Sequence, residues 1–225
     1  MSNLSGILAV DKPLGVTSHD VVNQLRRLSG TRRIGHAGTL DPLATGVMLL
    51  GIGRATRLLE YLVGLPKTYE TAVRLGQTTN TYDAEGEIVV ERPFAHLTEL
   101  PITAALAQFR GPIQQKPPLY SAIKKNGKPL YKLAREGAEV DVPPREVTIY
   151  ELTMLAWRAP VLHLRVACSS GTYIRSLGHD LGEALGCGGY LTALRRTAVG
   201  DFTLDQAVSL DQLTAANLAD HLLPP

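Results

Sequence analysis

With 225 residues, of which 44% are hydrophobic and 20% charged, the chain can build one sizeable core and is neither disordered nor fibrous in character. A net charge of +2 does not by itself mark a nucleic-acid binder, and two cysteines without C-x-x-C spacing, Cys168 and Cys187, make no disulfide framework and fit a reducing cytoplasm. No cationic N-terminus leads into an apolar signal core, and runs such as Val47 to Ile52 are too short to span a bilayer, so nothing points to secretion or a membrane. The charge is unevenly spread. Basic residues gather at Arg26, Arg27, Arg32 and Arg33, at Lys116, Lys124, Lys125, Lys128 and Lys132, and at Arg195 and Arg196, after which only acidic charges follow. A small total can therefore hide a basic face opposed to an acidic one, although solvated local clusters fit the pattern as well.

Ile7 to Val10 reads as a strand entering a turn at Asp11-Lys12-Pro13. Thr17 and Asp20, three apart before Val21, Val22, Leu25 and Leu28, predict an N-capped amphipathic helix stopped at Gly30. Gly46 to Ile52 is a buried strand, and Ala55, Leu58, Leu59 and Leu62 mark one face of a helix. Thr68 to Leu75 and Glu87 to Val90 read as the strands of a hairpin with a long loop, Ile102 to Phe109 as a helix, Gly111 to Gly127 as irregular, and Leu130 to Arg135 as a short helix. A hairpin follows at Val147 to Trp157 and Val161 to Ala167, then a helix from Tyr173 to Leu185, a strand from Leu191 to Phe202 and the start of a terminal helix at Leu210 to Leu213. Strands outnumber helices and are often adjacent. The expected class is α+β, a mixed, largely antiparallel central sheet with flanking helices, in a single domain over 1–225.

The densest unusual stretch is Arg33-Ile34-Gly35-His36-Ala37-Gly38-Thr39-Leu40-Asp41-Pro42-Leu43-Ala44-Thr45-Gly46. Pro42 biases Asp41 toward an extended backbone and the glycines permit close approach of a ligand, so one loop can present a carboxylate. An Asp-Pro turn without chemistry fits the spacing too. Cys168 to Arg175 is the second such stretch: a strand ends at a Gly-containing turn, and Arg175 falls in the first turn of a helix, where the dipole disfavours it unless a carboxylate partners it. No G-x-x-x-x-G-K-[ST], H-E-x-x-H or G-x-S-x-G occurs, and the six histidines are scattered. Carboxylate or simple acid–base chemistry is what remains.

At these residues the sequence resembles the TruB family of tRNA pseudouridine synthases, from about Gly6 to about Leu213 and with the motifs in order. Gly35 to Gly46 resembles the family's catalytic motif, which implies Asp41 as nucleophile. Lys12-Pro13 is similar to its N-terminal Lys-Pro motif, and Lys67-Thr68-Tyr69 to the strand carrying the active-site Tyr69. Gly171-Thr172-Tyr173-Ile174-Arg175 resembles the motif whose arginine pairs with the aspartate. Leu191 to Arg196 is similar to the segment supplying an apolar wall, placed at Leu194, and Asp83 matches an aspartate in the network around the arginine. The resemblance further implies that His36 fills the space left by a flipped base, that Lys12 and Tyr173 help to bind substrate, and that no metal or cofactor is needed. Gln115 to Lys124 and Leu43 to Gly46 look like the bacterial branch, which implies a stand-alone enzyme without guide RNA acting on the T-arm of tRNA; with no coiled-coil pattern or exposed apolar stripe in the sequence, a monomer is expected. Many members carry a C-terminal PUA-type domain; this chain is expected to consist of the catalytic domain without a separate one.

Two rival readings bear on the same residues. A nucleosidase would use carboxylate attack at the anomeric carbon with a second carboxylate as acid, for which Asp83 is the nearest candidate. A tRNA-folding module would need the basic surface and no nucleophile.

Overall fold

The computed structural model describes residues 4–121, 123–125, 127–136 and 140–224, so that Ala122 and Asn126 of the stretch expected to be irregular lie outside it. Met1–Glu70 with Leu194–Pro225 form one compact unit and Thr71–Ala193 the other.

The first unit opens with β1 (Gly6–Lys12), followed by α1 (Ser18–Ser29). The helix begins where the sequence sets a capping box: the Thr17 hydroxyl accepts from the Asp20 backbone and the Asp20 carboxylate accepts from that of Thr17. It ends at Gly30 in the left-handed conformation and buries Val21, Val22 and Leu25. β2 (Ile34–His36) and β3 (Ala44–Ile52) pair antiparallel, as do β1 and β3 over the whole of β1. A 3-10 turn (Gly53–Leu58) and α2 (Leu59–Gly64) take the place of the single helix expected there. Leu59, Leu62 and Leu65 pack against Ala9, Ala37, Val47 and Leu49.

β4 (Lys67–Leu75) carries the chain into the second unit. There β5 (Gln77–Thr79) and β6 (Ile88–Glu91) form the hairpin, so the partner of the second expected strand is β5 rather than β4. α3 (Glu99–Gln108) packs against later elements, and β7 (Gly111–Gln115) forms in a segment expected to be irregular. Short β8 (Lys124–Lys125), β9 (Lys128–Pro129) and α4 (Leu130–Arg135) lead to β10 (Arg145–Arg158) and β11 (Val161–Cys168). β11 alternates buried and less buried positions with the period of a half-buried strand. α5 (Ile174–Ala184) precedes β12 (Gly189–Val199), and the strand order in this unit is β12-β4-β11-β10-β7.

β12 returns the chain to the first unit, where β13 (Phe202–Thr203) folds back on it across a Gly200-Asp201 turn. β14 (Val208–Ser209) runs parallel to β1, giving the order β14-β1-β3-β12. The expected strand Leu191 to Phe202 is thus two strands, and the expected terminal helix is a 3-10 turn at Leu210–Gln212. The class is α+β with mixed, mainly antiparallel pairing; the parallel pairs with assigned register are β1–β14 and β3–β12. Among the described residues no helix is long and apolar enough to cross a membrane.

The β3–β12 register sets Gly46 opposite Arg196 and Ala44 opposite Leu194. Gly46 has φ +103°, and a Cβ there would collide with the backbone of Arg196. Gly46→Ala is expected to destabilise the protein by about 3 kcal/mol, through backbone strain and steric conflict together. A urea midpoint equal to wild type would contradict this origin for the glycine.

Candidate active site

In the first unit, Asp41 lies half-buried on the turn joining β2 to β3. The backbone around it is tied down residue by residue. Before it, the Ser18 hydroxyl donates to the Leu40 carbonyl and accepts from the Leu40 N–H, both at 2.8 Å. After it, the Pro42 carbonyl accepts from Gly15 N–H at 2.9 Å, and the carbonyl of Asp41 itself accepts from Ala44 N–H at 3.0 Å. Arg196, only 1% exposed, donates from Nε to the Val47 carbonyl at 2.7 Å and from Nη2 to that of Gly38 at 3.3 Å, joining the loop to β3. Lys12 is fully buried, and its Nζ donates to the carbonyls of Pro13 (2.9 Å) and Val16 (2.7 Å), closing the turn that supplies Gly15. Such a loop presents its carboxylate from a fixed backbone, which lowers the entropy lost when a reacting atom must be met in one geometry.

His36 ends β2 opposite Leu50, on a strand rather than in the loop where the sequence places it. Its Nδ1 is buried without a hydrogen-bond partner among the described residues. Burial, reinforced by the charge of Arg196, pushes the imidazole pKa below its usual value, outweighing a backbone hydrogen bond at Gly38 that acts the other way. The ring is therefore neutral at pH 7. Tyr69 is buried on β4, close in sequence to Lys67, whose Nζ donates to the carbonyls of Val63 and Leu65, both at 2.6 Å. Leu194 is half-buried opposite Ala44. The basic pair Arg195-Arg196 is spent internally: Arg195 meets Asp11 at 2.7 Å, and Arg196 is the buried staple just described.

In the second unit, Tyr173 is the N-cap of α5, and its backbone is read by a side chain from β7. Gln115 Oε1 accepts from Tyr173 N–H at 2.8 Å while its Nε2 donates to the Tyr173 carbonyl at 3.0 Å. Arg175 follows in the first turn of α5, buried, with Nη1 3.3 Å from Asp83 Oδ2 and donating to the Thr81 carbonyl at 3.2 Å. Its Nη2 donates to the Tyr120 carbonyl at 2.8 Å. Asp83 is itself held: Oδ1 accepts from Thr81 Oγ1 at 2.6 Å and from Glu85 N–H at 3.0 Å. A carboxylate and two carbonyls offset both the desolvation of the guanidinium and its unfavourable position on the helix dipole. The structure thus joins Arg175 and Asp83 directly.

Three contributors escape a reading by motif. Ser18 follows the helix cap, Gln115 precedes a Lys-Pro-Pro run, and Arg196 passes for surface charge; the register of β12 against β3 is the signal that would have turned Arg196 inward. Among the described residues, no three His, Cys, Asp or Glu side chains are grouped so as to hold a metal ion.

Comparison with known proteins follows the same stretches. The family model described as TruB family pseudouridylate synthase (N terminal domain) matches residues 26–174, and that described as tRNA pseudouridylate synthase B C-terminal domain matches 175–224. A protein of Thermobifida fusca (strain YX) named tRNA pseudouridine synthase B is 53% identical over 93% of this chain and 74% of its own length. One of the same name from Arthrobacter sp. (strain FB24) is 57% identical over 93% of this chain and 71% of its own. Among solved structures, a Cbf5-Nop10-Gar1 complex superposes with a TM-score of 0.72 at 30% identity over 96% of this chain, which spans 54% of the matched one. An archaeal box H/ACA sRNP Nop10-Cbf5 complex gives 0.68 at 29% identity, covering 92% of this chain and 51% of the other. The chain accordingly belongs to the TruB family and is an RNA pseudouridine synthase, an isomerase.

Proposed function

We propose that this enzyme converts the T-loop uridine of tRNA, position 55 in tRNA numbering, to pseudouridine, with Asp41 as covalent nucleophile after the base has been flipped from its stack. The observation that carries this reading is the pairing of two facts. Relatives sharing 53% and 57% of its residues are named for tRNA, and the stretch around Asp41 resembles the family's nucleophile motif. Resemblance of Gln115 to Lys124 and of Leu43 to Gly46 to the bacterial branch supports a stand-alone enzyme that uses no guide RNA; the sequence shows no coiled-coil pattern that would favour more than a monomer, and its cysteine usage fits a reducing cytoplasm.

The chemistry fits a carboxylate. The N1–C1′ bond breaks, the uracil turns, C5 bonds to C1′, and the proton lost from C5 is balanced by one gained at N1, so no electron donor or group donor enters. A carboxylate can bond to the base or the sugar and then depart. Arg175, assigned from its motif as the cation serving Asp41, favours the ionised form of a carboxylate shielded from water. Tyr69 stacks on the extruded uracil near the exchanging protons, with Leu194 as apolar wall. Flipping costs a few kcal/mol, offset by such stacking, and neutral His36 occupies the vacated space without adding a buried charge.

An unmodified tRNA transcript, incubated with the protein and no cofactor, should yield one new carbodiimide-dependent reverse-transcription stop, at the T-loop uridine. Asp41→Asn should abolish the stop while retaining tRNA binding. Binding without any stop in the wild type would instead mark a tRNA-folding module, and release of free uracil a nucleosidase. Arg175→Ala is expected to lower kcat by about 100-fold or more with little change in KM, the scale seen when one preorganised charge partner is lost. Arg175→Lys should also be poor, because the planar fork is lost. Wild-type turnover by purified Arg175→Ala would sink the assignment of Arg175.

A further inference from the structure

The turn that holds Arg175 carries an unexplained residue. Among the described residues, Tyr82 is the one non-glycine with positive φ, at +64°. A bulky side chain rarely adopts this left-handed conformation, because its Cβ crowds the backbone, and it persists only where the surroundings over-determine it. Tyr82 stands between the two residues of this turn that contact Arg175: Thr81 offers its carbonyl and Asp83 its carboxylate to the same Nη1. Any change in the backbone at 82 therefore reorients both groups together.

Two features restrain residue 82. Its backbone is bonded on both sides, N–H to the Thr79 carbonyl at 3.3 Å and carbonyl to Leu191 N–H at 3.0 Å. Its ring stacks on the imidazole of His179, with centroids 3.8 Å apart and planes within 10°. His179 lies on α5 four residues after Arg175, one helical turn along the same face. The imidazole makes no visible polar use of its inner edge, for Nδ1 is buried and without a hydrogen-bond partner among the described residues. Burial also holds His179 toward its neutral form, so the ring meets Tyr82 as a flat apolar surface. Helix α5 thus touches the turn twice, once through the guanidinium and once through this stack.

We infer that Tyr82 and His179 form a positioning clamp: their stack keeps residue 82 left-handed and so sets the Thr81 carbonyl and the Asp83 carboxylate against the guanidinium of Arg175. Neither ring is a catalytic residue; both act through Arg175, and the inference rests on the role given to Arg175 above. The clamp fixes the direction of the arginine during turnover more than it supports the fold, since the turn also has its own backbone bonds.

The test uses the full chain with an unmodified tRNA transcript, reading kcat and KM separately and melting temperature alongside. Tyr82→Asn keeps a residue that tolerates the left-handed region but removes the ring; His179→Ala removes the other half of the stack. Each is expected to lower kcat about tenfold, a modest misplacement effect, with KM within about twofold. The double variant should be no worse than either single one. Tyr82→Phe and His179→Phe, which preserve the stack, should restore wild-type kcat. In an Arg175→Lys background, Tyr82→Asn should add no further loss. The clamp is overturned by a Tyr82→Asn enzyme with wild-type kcat, or by a loss that multiplies in full upon that of Arg175→Lys. If Tyr82→Asn fails to fold, His179→Ala compared with His179→Phe decides by the same criterion. Loss in Arg175→Ala with none in the clamp variants rejects the clamp alone, whereas wild-type turnover in Arg175→Ala rejects the reading beneath it.

Discussion

A cation removed from water must be met by fixed acceptors, and among the described residues four are buried: Lys12, Lys67, Arg175 and Arg196. Backbone carbonyls supply acceptors to all four. Each such carbonyl belongs to a turn, strand or helix end that must then stay where the cation needs it. Lys12 fixes the turn at 13–16, Lys67 the end of α2, Arg196 the loop at Gly38, and Arg175 the turns at Thr81 and Tyr120. Lys12 and Lys67 bond carbonyls within four residues of themselves, whereas Arg175 and Arg196 reach carbonyls 55 to 158 residues away, so these two arginines tie loops to side chains distant in sequence.

These bonds explain why Asp41 and Asp83 can stand on turns and yet not be loosely held. The Asp41 turn lies between the strands it joins, outside both. It borrows rigidity from Ser18, from Gly15 through a turn that Lys12 closes, and from Arg196. Arg175 is rigid for a related reason. Gln115 reads the backbone of Tyr173 immediately before it, and Asp83 arrives already committed to Thr81 and Glu85. A side chain whose partners are themselves fixed has little conformational entropy left to lose on meeting a substrate.

Much of this was legible in the sequence, and the boundary has a physical origin. The capping box at Thr17 and Asp20 and the alternation in Val161 to Ala167 depend on residues a few positions apart, and the corresponding elements formed as read. β2 and β7 were not visible in advance. β2 is three residues long and contains Gly35, and β7 begins Gly-Pro, a pair that argues against a strand. β7 tolerates Pro112 because it is the last strand in its order, with no further sheet neighbour among the described residues. The resemblance gives roles to Asp41, Tyr69 and Arg175, whereas Ser18 falls outside the motifs, and Gln115 and Arg196 fall inside matched stretches without a role. Their bonds span 22, 58 and up to 158 residues, and no local periodicity encodes a partner that distant. Arg196 shows the error most clearly: as a sequence letter it joined a basic cluster, and only the register of β12 turns it into the core.

Conversion of uridine to pseudouridine exchanges the N1–C1′ bond for a C5–C1′ bond, so the uracil must turn relative to the sugar without escaping. The protein groups around such a ring are best kept still, so that motion is confined to the base. A nucleophile on a freely moving loop would add its own disorder to that of the ring and lower the chance of productive recombination. Buried cations serve this need better than apolar packing alone. They impose direction as well as proximity, since each N–H must point at a particular oxygen. The cost is desolvation at four sites, and the return is a set of turns whose positions are specified by hydrogen-bond geometry rather than by the shape of a core.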